Sequence, residues 1–174
     1  WVLRNPAFAI GGIVVQGEVT HNNAVTLRAN AAPRLQGNFF TVNLGAAREV
    51  FESVPWVRKA VVRREFPNQL RVQLQEHQAV AHWGREDQST MVNSFGEVFE
   101  ANVGDVEQDD LPRLYGPAEH AAEVLAMYRR LTPLLAPLDT TLEELSLSSR
   151  GGWRGLLDSG ATIEFGSGAP EQVE

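Results

Sequence analysis

Pro55–Glu76, PWVRKAVVRREFPNQLRVQLQE, decides how this chain folds. It predicts two β-strands joined by a tight turn at Phe66-Pro67-Asn68-Gln69. In the second strand Leu70, Val72 and Leu74 alternate with Arg71, Gln73 and Gln75. A period of two buries one face of a strand and wets the other. Pro67 has a fixed φ and no N–H, so it belongs in the turn and not in a ladder. In the first strand Ala60 and Val62 face the core, and Val57 joins that phase only through a β-bulge. Such a hairpin needs an apolar cover, and the residues before it supply two short helices.

Working outward, Phe8–Val19 predicts a first strand with Ile13 and Val15 on one face and a turn at Gly17. Thr20 or Asn22 is the expected cap of a helix over 23–32, because a side-chain oxygen there accepts the free N–H groups of the first turn. Pro33 is expected to stop that helix. Thr41 or Asn43 caps a second helix over 44–53, with Leu44, Ala47, Val50 and Phe51 as its apolar stripe. The order β-α-α-β-β gives a three-stranded sheet with both helices on one face. The fold class is α+β.

After Gln75 the texture changes. Residues 79–83 predict a short strand. Met91–Phe99 predicts a hairpin turning at Asn93-Ser94-Phe95-Gly96. Residues 102–110 read as an acidic loop. A helix is expected from Pro117 to Leu131, with Glu119 near its positive end and a buried stripe of Ala121, Val124, Leu125, Tyr128 and Leu131. Pro133 and Pro137 are expected to end it. Three strands over 142–149, 153–157 and 161–165, joined by glycine turns, form an antiparallel meander. The reading is therefore two domains: 8–76, and a mixed, mostly antiparallel β-domain over 77–174.

Charge divides at the same place. Residues 1–75 carry 9 basic and 4 acidic side chains, and residues 76–174 carry 6 and 18. That asymmetry points to two modules with different surfaces. Nine basic residues spread over 75 positions, with no aromatic stacking motif, make a poor nucleic-acid footprint. There is no cysteine, which removes thiol catalysis, disulfides and thiolate metal sites. No apolar run is long enough to span a bilayer. The chain opens on Trp1-Val2-Leu3-Arg4, either the end of a membrane-exit segment, since Trp and Arg favour the interface, or an arbitrary boundary.

Reactive constellations are missing from the sequence. His21, His77, His82 and His120 form no metal-binding pair at helical spacing. There is no nucleophile elbow, and Gly166-Ser167-Gly168 is not followed by a helix. Asp105, Glu107, Asp109 and Asp110 lack the glycine and terminal glutamate of a helix-loop-helix calcium site. No cofactor is expected, and no enzyme.

Several motifs in this order carry a family resemblance: Gly17 after the first strand, GNFFTVNL at 37–44, VPWVRKAVVRREFPNQLRVQLQEHQAVAHW at 54–83, MVNSFGEVF at 91–99, LPRLYGP at 111–117 and RGGW at 150–153. The N-terminal unit resembles a POTRA domain. The wider chain resembles the periplasmic part of the bacterial cell-division family FtsQ/DivIB. The resemblance implies a single-pass inner-membrane protein with a POTRA and a following β-domain, acting at the septum without catalysis. Its implied partners are FtsB and FtsL, small bitopic proteins that it links to septal peptidoglycan synthesis.

The resemblance assigns recruitment to the second POTRA strand, where Lys59, Val62 and Arg64 are the candidate contacts. Val62 fits a core position equally. Glu76 either holds the geometry between the modules or is a solvated strand end. FtsB capture is assigned to a strand edge near the C-terminal end. Ala161, Ile163 and Phe165 border that edge here, while family members continue beyond it with a long helix and further strands, where the principal contacts lie. The alternative reading is a POTRA-bearing transport or chaperone module of an outer-membrane assembly system.

Overall fold

A computed structural model of the chain describes residues 9–101 and 110–167. It divides into two compact units between His77 and Gln78.

The first unit begins with β1 (Gly12–Gly17), α1 (Ala24–Ala31) and α2 (Leu44–Glu52) and ends with β2 (Val57–Glu65) and β3 (Gln69–Glu76). The sheet order is β1-β3-β2, with β1 parallel and β2 antiparallel to the central β3. Leu70, Val72 and Leu74 are buried, and they meet Leu27 and Ala31 of α1 and Phe51 of α2 in one cluster. The bulge that Val57 required is present. Val57 pairs with Glu76, but Lys59 pairs with Gln75, so Arg58 is the extra residue. It returns Val57 to the buried face shared by Ala60.

One expectation about α1 is corrected. Its cap is Asn23, whose side-chain oxygen accepts from Val25 and Thr26 N–H. Thr20 and Asn22 serve elsewhere, because their backbone N–H groups are bound by Glu76. Pro33 stops the helix as expected, with α1 ending at Ala31. It lies inside a 3-10 turn over Ala32–Arg34, at a position where the missing N–H is no loss. Asn43 caps α2 through Gly45 and Ala46 N–H.

The second unit is a seven-stranded mixed sheet with one long helix, α3 (Ala121–Leu135). Its strands are β4 (Ala79–Trp83), β5 (Thr90–Asn93), β6 (Val98–Glu100), β7 (Arg113–Tyr115), β8 (Leu142–Leu147), β9 (Gly152–Leu157) and β10 (Thr162–Ser167). The order is β10-β9-β8-β7-β4-β5-β6. The meander and the hairpin are as read from the sequence, but β7 was missed. It pairs parallel with both β4 and β8 and so sits mid-sheet. Met127 and Leu135 join the expected buried stripe of α3, while Tyr128 is only partly buried. Pro133 lies inside α3 and does not end it. Pro133 has no N–H to give the carbonyl four residues back, and burial of Leu135 in the core holds the helix past it. The expected acidic loop at 102–110, all but Asp110, lies outside the described residues.

Candidate functional site

Among the described residues no group of three His, Asp or Glu side chains is placed to hold a metal ion. No described helix is long and apolar enough to cross a membrane. The surfaces with unfilled bonding capacity are strand edges. A strand at the margin of a sheet presents N–H and C=O groups that a partner strand can take.

β2 is one margin of the first sheet. The Ala60 N–H is not available to a partner there, because Glu52 Oε1 at the end of α2 accepts it at 3.0 Å. Alternation along the strand then turns the backbone groups of Val62 and Arg64 outward. Val62 is half-buried against the core cluster, so its side chain packs inward while its backbone lies on the edge. Arg64 shares its face. Its Nε donates to the Phe39 carbonyl at 2.8 Å, and Nη2 donates to the carbonyls of Phe40 at 3.2 Å and Val42 at 2.7 Å. Lys59 is exposed on the other face of the sheet. The three candidates therefore do not form one patch.

Arg64 has an internal duty that the sequence did not reveal. It fastens the loop preceding α2 to the end of β2. Arg64→Met keeps the aliphatic stem and removes three charge-assisted bonds. It is expected to cost about 1.5 kcal/mol in the first unit, a partial loss because water reaches the Phe40 carbonyl. Urea unfolding of the variant measures it. A cost near zero would show that the loop holds without the guanidinium.

β1, the other margin of this sheet, carries an apolar groove of about 560 Å³ lined by Ile10, Ile13 and Leu35, with Arg28 at its side.

In the second unit β10 is a margin strand. Ile163 lies opposite Gly155 on β9. The Phe165 ring covers Gly155, 3.4 Å from where a Cβ would stand. Both side chains are half-buried against the core, so they hold β10 down, and among the described residues no strand pairs with its outer edge. Ala161 is not on the strand. It lies in the β9–β10 turn, where its carbonyl accepts the Leu157 N–H at 2.9 Å. The expected boundary shifts by one residue, to Thr162. A bulge between Glu164 and Ser167 bends the strand's end. The turn is pinned by Asp158, whose carboxylate accepts the Thr140 and Thr141 hydroxyls at 2.7 and 3.1 Å. Those bonds, Thr140's first, hold its carboxyl below the usual range.

Glu76 is neither solvated nor at a bare strand end. It follows Leu70, Val72 and Leu74 in phase and is 7% exposed. Its Oε2 accepts Thr20 and His21 N–H, each at 3.0 Å, and Oε1 accepts Asn22 N–H at 3.0 Å and Asn22 Nδ2 at 2.9 Å. His21 Nδ1 lies 3.1 Å from Oε2, and its ring stacks on Trp56 at 3.8 Å. These successive N–H groups form a concave anion site around a carboxylate of the same unit. The phase of Glu76 in the β3 alternation was the available sequence signal. An acidic residue in register with three core residues has to meet donors.

Comparison with known proteins agrees with this geometry. The FtsQ-type POTRA domain matches residues 8–77, and the cell division protein FtsQ/DivIB C-terminal domain matches residues 81–174. Proteins named cell division protein FtsQ are similar to the chain. That of Burkholderia pseudomallei is 43% identical over 166 residues, covering 95% of this chain and 65% of its own length. That of Thiomonas arsenitoxydans is 44% identical, covering 99% and 64%. That of Nitrosospira multiformis is 34% identical, covering 95% and 70%. The chain thus spans just under two thirds of the length of the first two relatives. With both domains matched in order along almost all of its residues, this chain belongs to the FtsQ/DivIB family of cell-division proteins.

Proposed function

We propose that this chain is the periplasmic part of a non-enzymatic division scaffold, anchored in the inner membrane by one N-terminal helix and recruited to the septum. FtsQ/DivIB is a scaffold family, not an enzyme family. The scaffold holds FtsB and FtsL and links them to septal peptidoglycan synthesis. The observation that carries this reading is the outer edge of β10, which pairs with no described strand, at the margin of a sheet that matches the FtsQ/DivIB C-terminal domain. A strand added there gains main-chain hydrogen bonds, and alternate side chains supply selectivity. In the first unit the backbone edge at Val62 and Arg64 and the exposed Lys59 serve recruitment. Glu76 ends β3 one residue before the junction of the units and fixes how the chain leaves the first. The match to the FtsQ/DivIB C-terminal domain speaks against a transport or chaperone POTRA system.

A soluble FtsB–FtsL segment tests it. The full-length protein is expected to bind that segment at least about tenfold tighter than residues 1–174 alone, because strand addition is completed by residues beyond β10. Equal affinities would move the principal contacts into residues 1–174. No binding to the full-length protein would end the scaffold reading.

A further inference from the structure

We propose that the tip of the β2–β3 hairpin and the adjoining loop at 38–42 dock on an anionic membrane surface. The inference rests on the membrane-anchored reading above and adds the face that meets the lipid. Phe66, in the hairpin turn, is 85% exposed, and Phe40 is 51% exposed. Large aromatic side chains left this open need a reason when they share one end of a domain. These two do. Arg64, two residues before Phe66, bonds the Phe40 carbonyl. The chain enters the unit at the same end, where Gly11 N–H donates to the Asn68 carbonyl at 2.8 Å.

Charge at this end favours an anionic partner. Arg63, Arg64 and Arg71 stand against Glu65 alone, and Glu65 is paired with Arg71. The Arg64 partners named above are carbonyls and not carboxylates. Phenylalanine rings inserted at headgroup level, flanked by guanidinium groups, are a monotopic membrane contact. On the membrane-anchored reading the anchor lies N-terminal to this unit, and the ten residues before Gly11 span at most about 36 Å when extended. A protein partner would fit the exposed rings as well, but on the anchored reading the bilayer is the surface that the chain itself brings near them.

The test uses residues 1–174 with an N-terminal histidine tag on nickel-chelating lipid, so attachment does not depend on the native anchor. The chain has no cysteine, so one dye is attached at Gln69→Cys or at Thr20→Cys. Gln69 adjoins the hairpin tip; Thr20 lies at the opposite end of the sheet, beside Glu76. Vesicles of phosphatidylethanolamine and phosphatidylglycerol, about 3:1, carry a spin-labelled lipid as quencher. Quenching at position 69 is expected to exceed that at position 20 by about threefold or more, and Phe40→Ser with Phe66→Ser is expected to erase the difference. Replacing phosphatidylglycerol with phosphatidylcholine is expected to halve it roughly, as screening of a basic patch would. Thermal melting checks that the double variant stays folded. Equal quenching at the two positions, or a difference that survives the double substitution, overturns the docking face. Either result leaves the anchor itself intact, since membrane fractionation of the full-length protein tests that separately.

Discussion

Glu76→Ala is expected to destabilise the first unit by about 3 kcal/mol. The substitution removes the acceptor of three consecutive N–H groups, those of Thr20, His21 and Asn22, together with the Asn22 side-chain amide. Part-buried donors without an acceptor carry a desolvation cost each, and water entering the space returns only some of it. The loop also loses the support that sets His21 flat against Trp56, 3.8 Å away. Glu76→Gln preserves shape but presents an NH₂ group to donors, so its expected cost is about 2 kcal/mol, between wild type and alanine. Urea unfolding followed by amide exchange in residues 18–25 and 69–76 separates this unit from the second. A cost below about 0.5 kcal/mol for Glu76→Ala would mean that water replaces the carboxylate and that the clamp is incidental.

Gly96→Val is expected to cost the second unit about 4 kcal/mol, from two sources that add. Gly96 sits at φ +80°, a conformation that a β-branched residue adopts only with strain. A Cβ there would stand 2.6 Å from Ala122 Cα on α3, a backbone atom that cannot swing aside. The turn is fixed from both sides. Asn93, fully buried, accepts the Phe95 and Glu97 N–H groups, and Arg129 of α3 donates to the Ser94 carbonyl at 3.0 Å. Gly160→Val is the control. Gly160 has the same φ of +80° but nothing within 4 Å of its Cβ position, so only the strain remains, about 1.5 kcal/mol. Thermal unfolding of the two variants compares them. Equal losses would show that the hairpin does not press on α3 as closely as described.

The two predictions fall on residues of different legibility. Gly96 was visible as a turn residue, because Asn93-Ser94-Phe95-Gly96 between two short apolar runs has few other readings. Its packing against Ala122 was not, since nothing in the hairpin points to a helix 26 residues on. Glu76 was visible only as a polar residue in a core phase; its donors lie 54 to 56 residues earlier. Arg64 was read as a surface contact, and its three carbonyl partners came to light only with the loop folded back. Of the partner-binding candidates, Val62, Ile163 and Phe165 carry the inward-facing apolar pattern that makes strands legible, whereas Ala161 was misplaced by one residue at a turn.

The β-α-α-β-β order of the first unit, the alternation in β3, the need for a bulge if Val57 is to share the Ala60 face, and the family itself were legible in the sequence alone. Each depends on residues within a few positions of one another, where backbone sterics and side-chain period act directly. Tertiary structure alone decided the place of β7, the survival of α3 past Pro133, the donors around Glu76 and the end at which Phe40 and Phe66 gather. β7 has three residues, too few to show a period, and its strandness comes from parallel neighbours 31 positions away on either side. Where a residue's conformation is set by partners that the chain brings from afar, local pattern carries no trace of them, and only the folded chain supplies the answer.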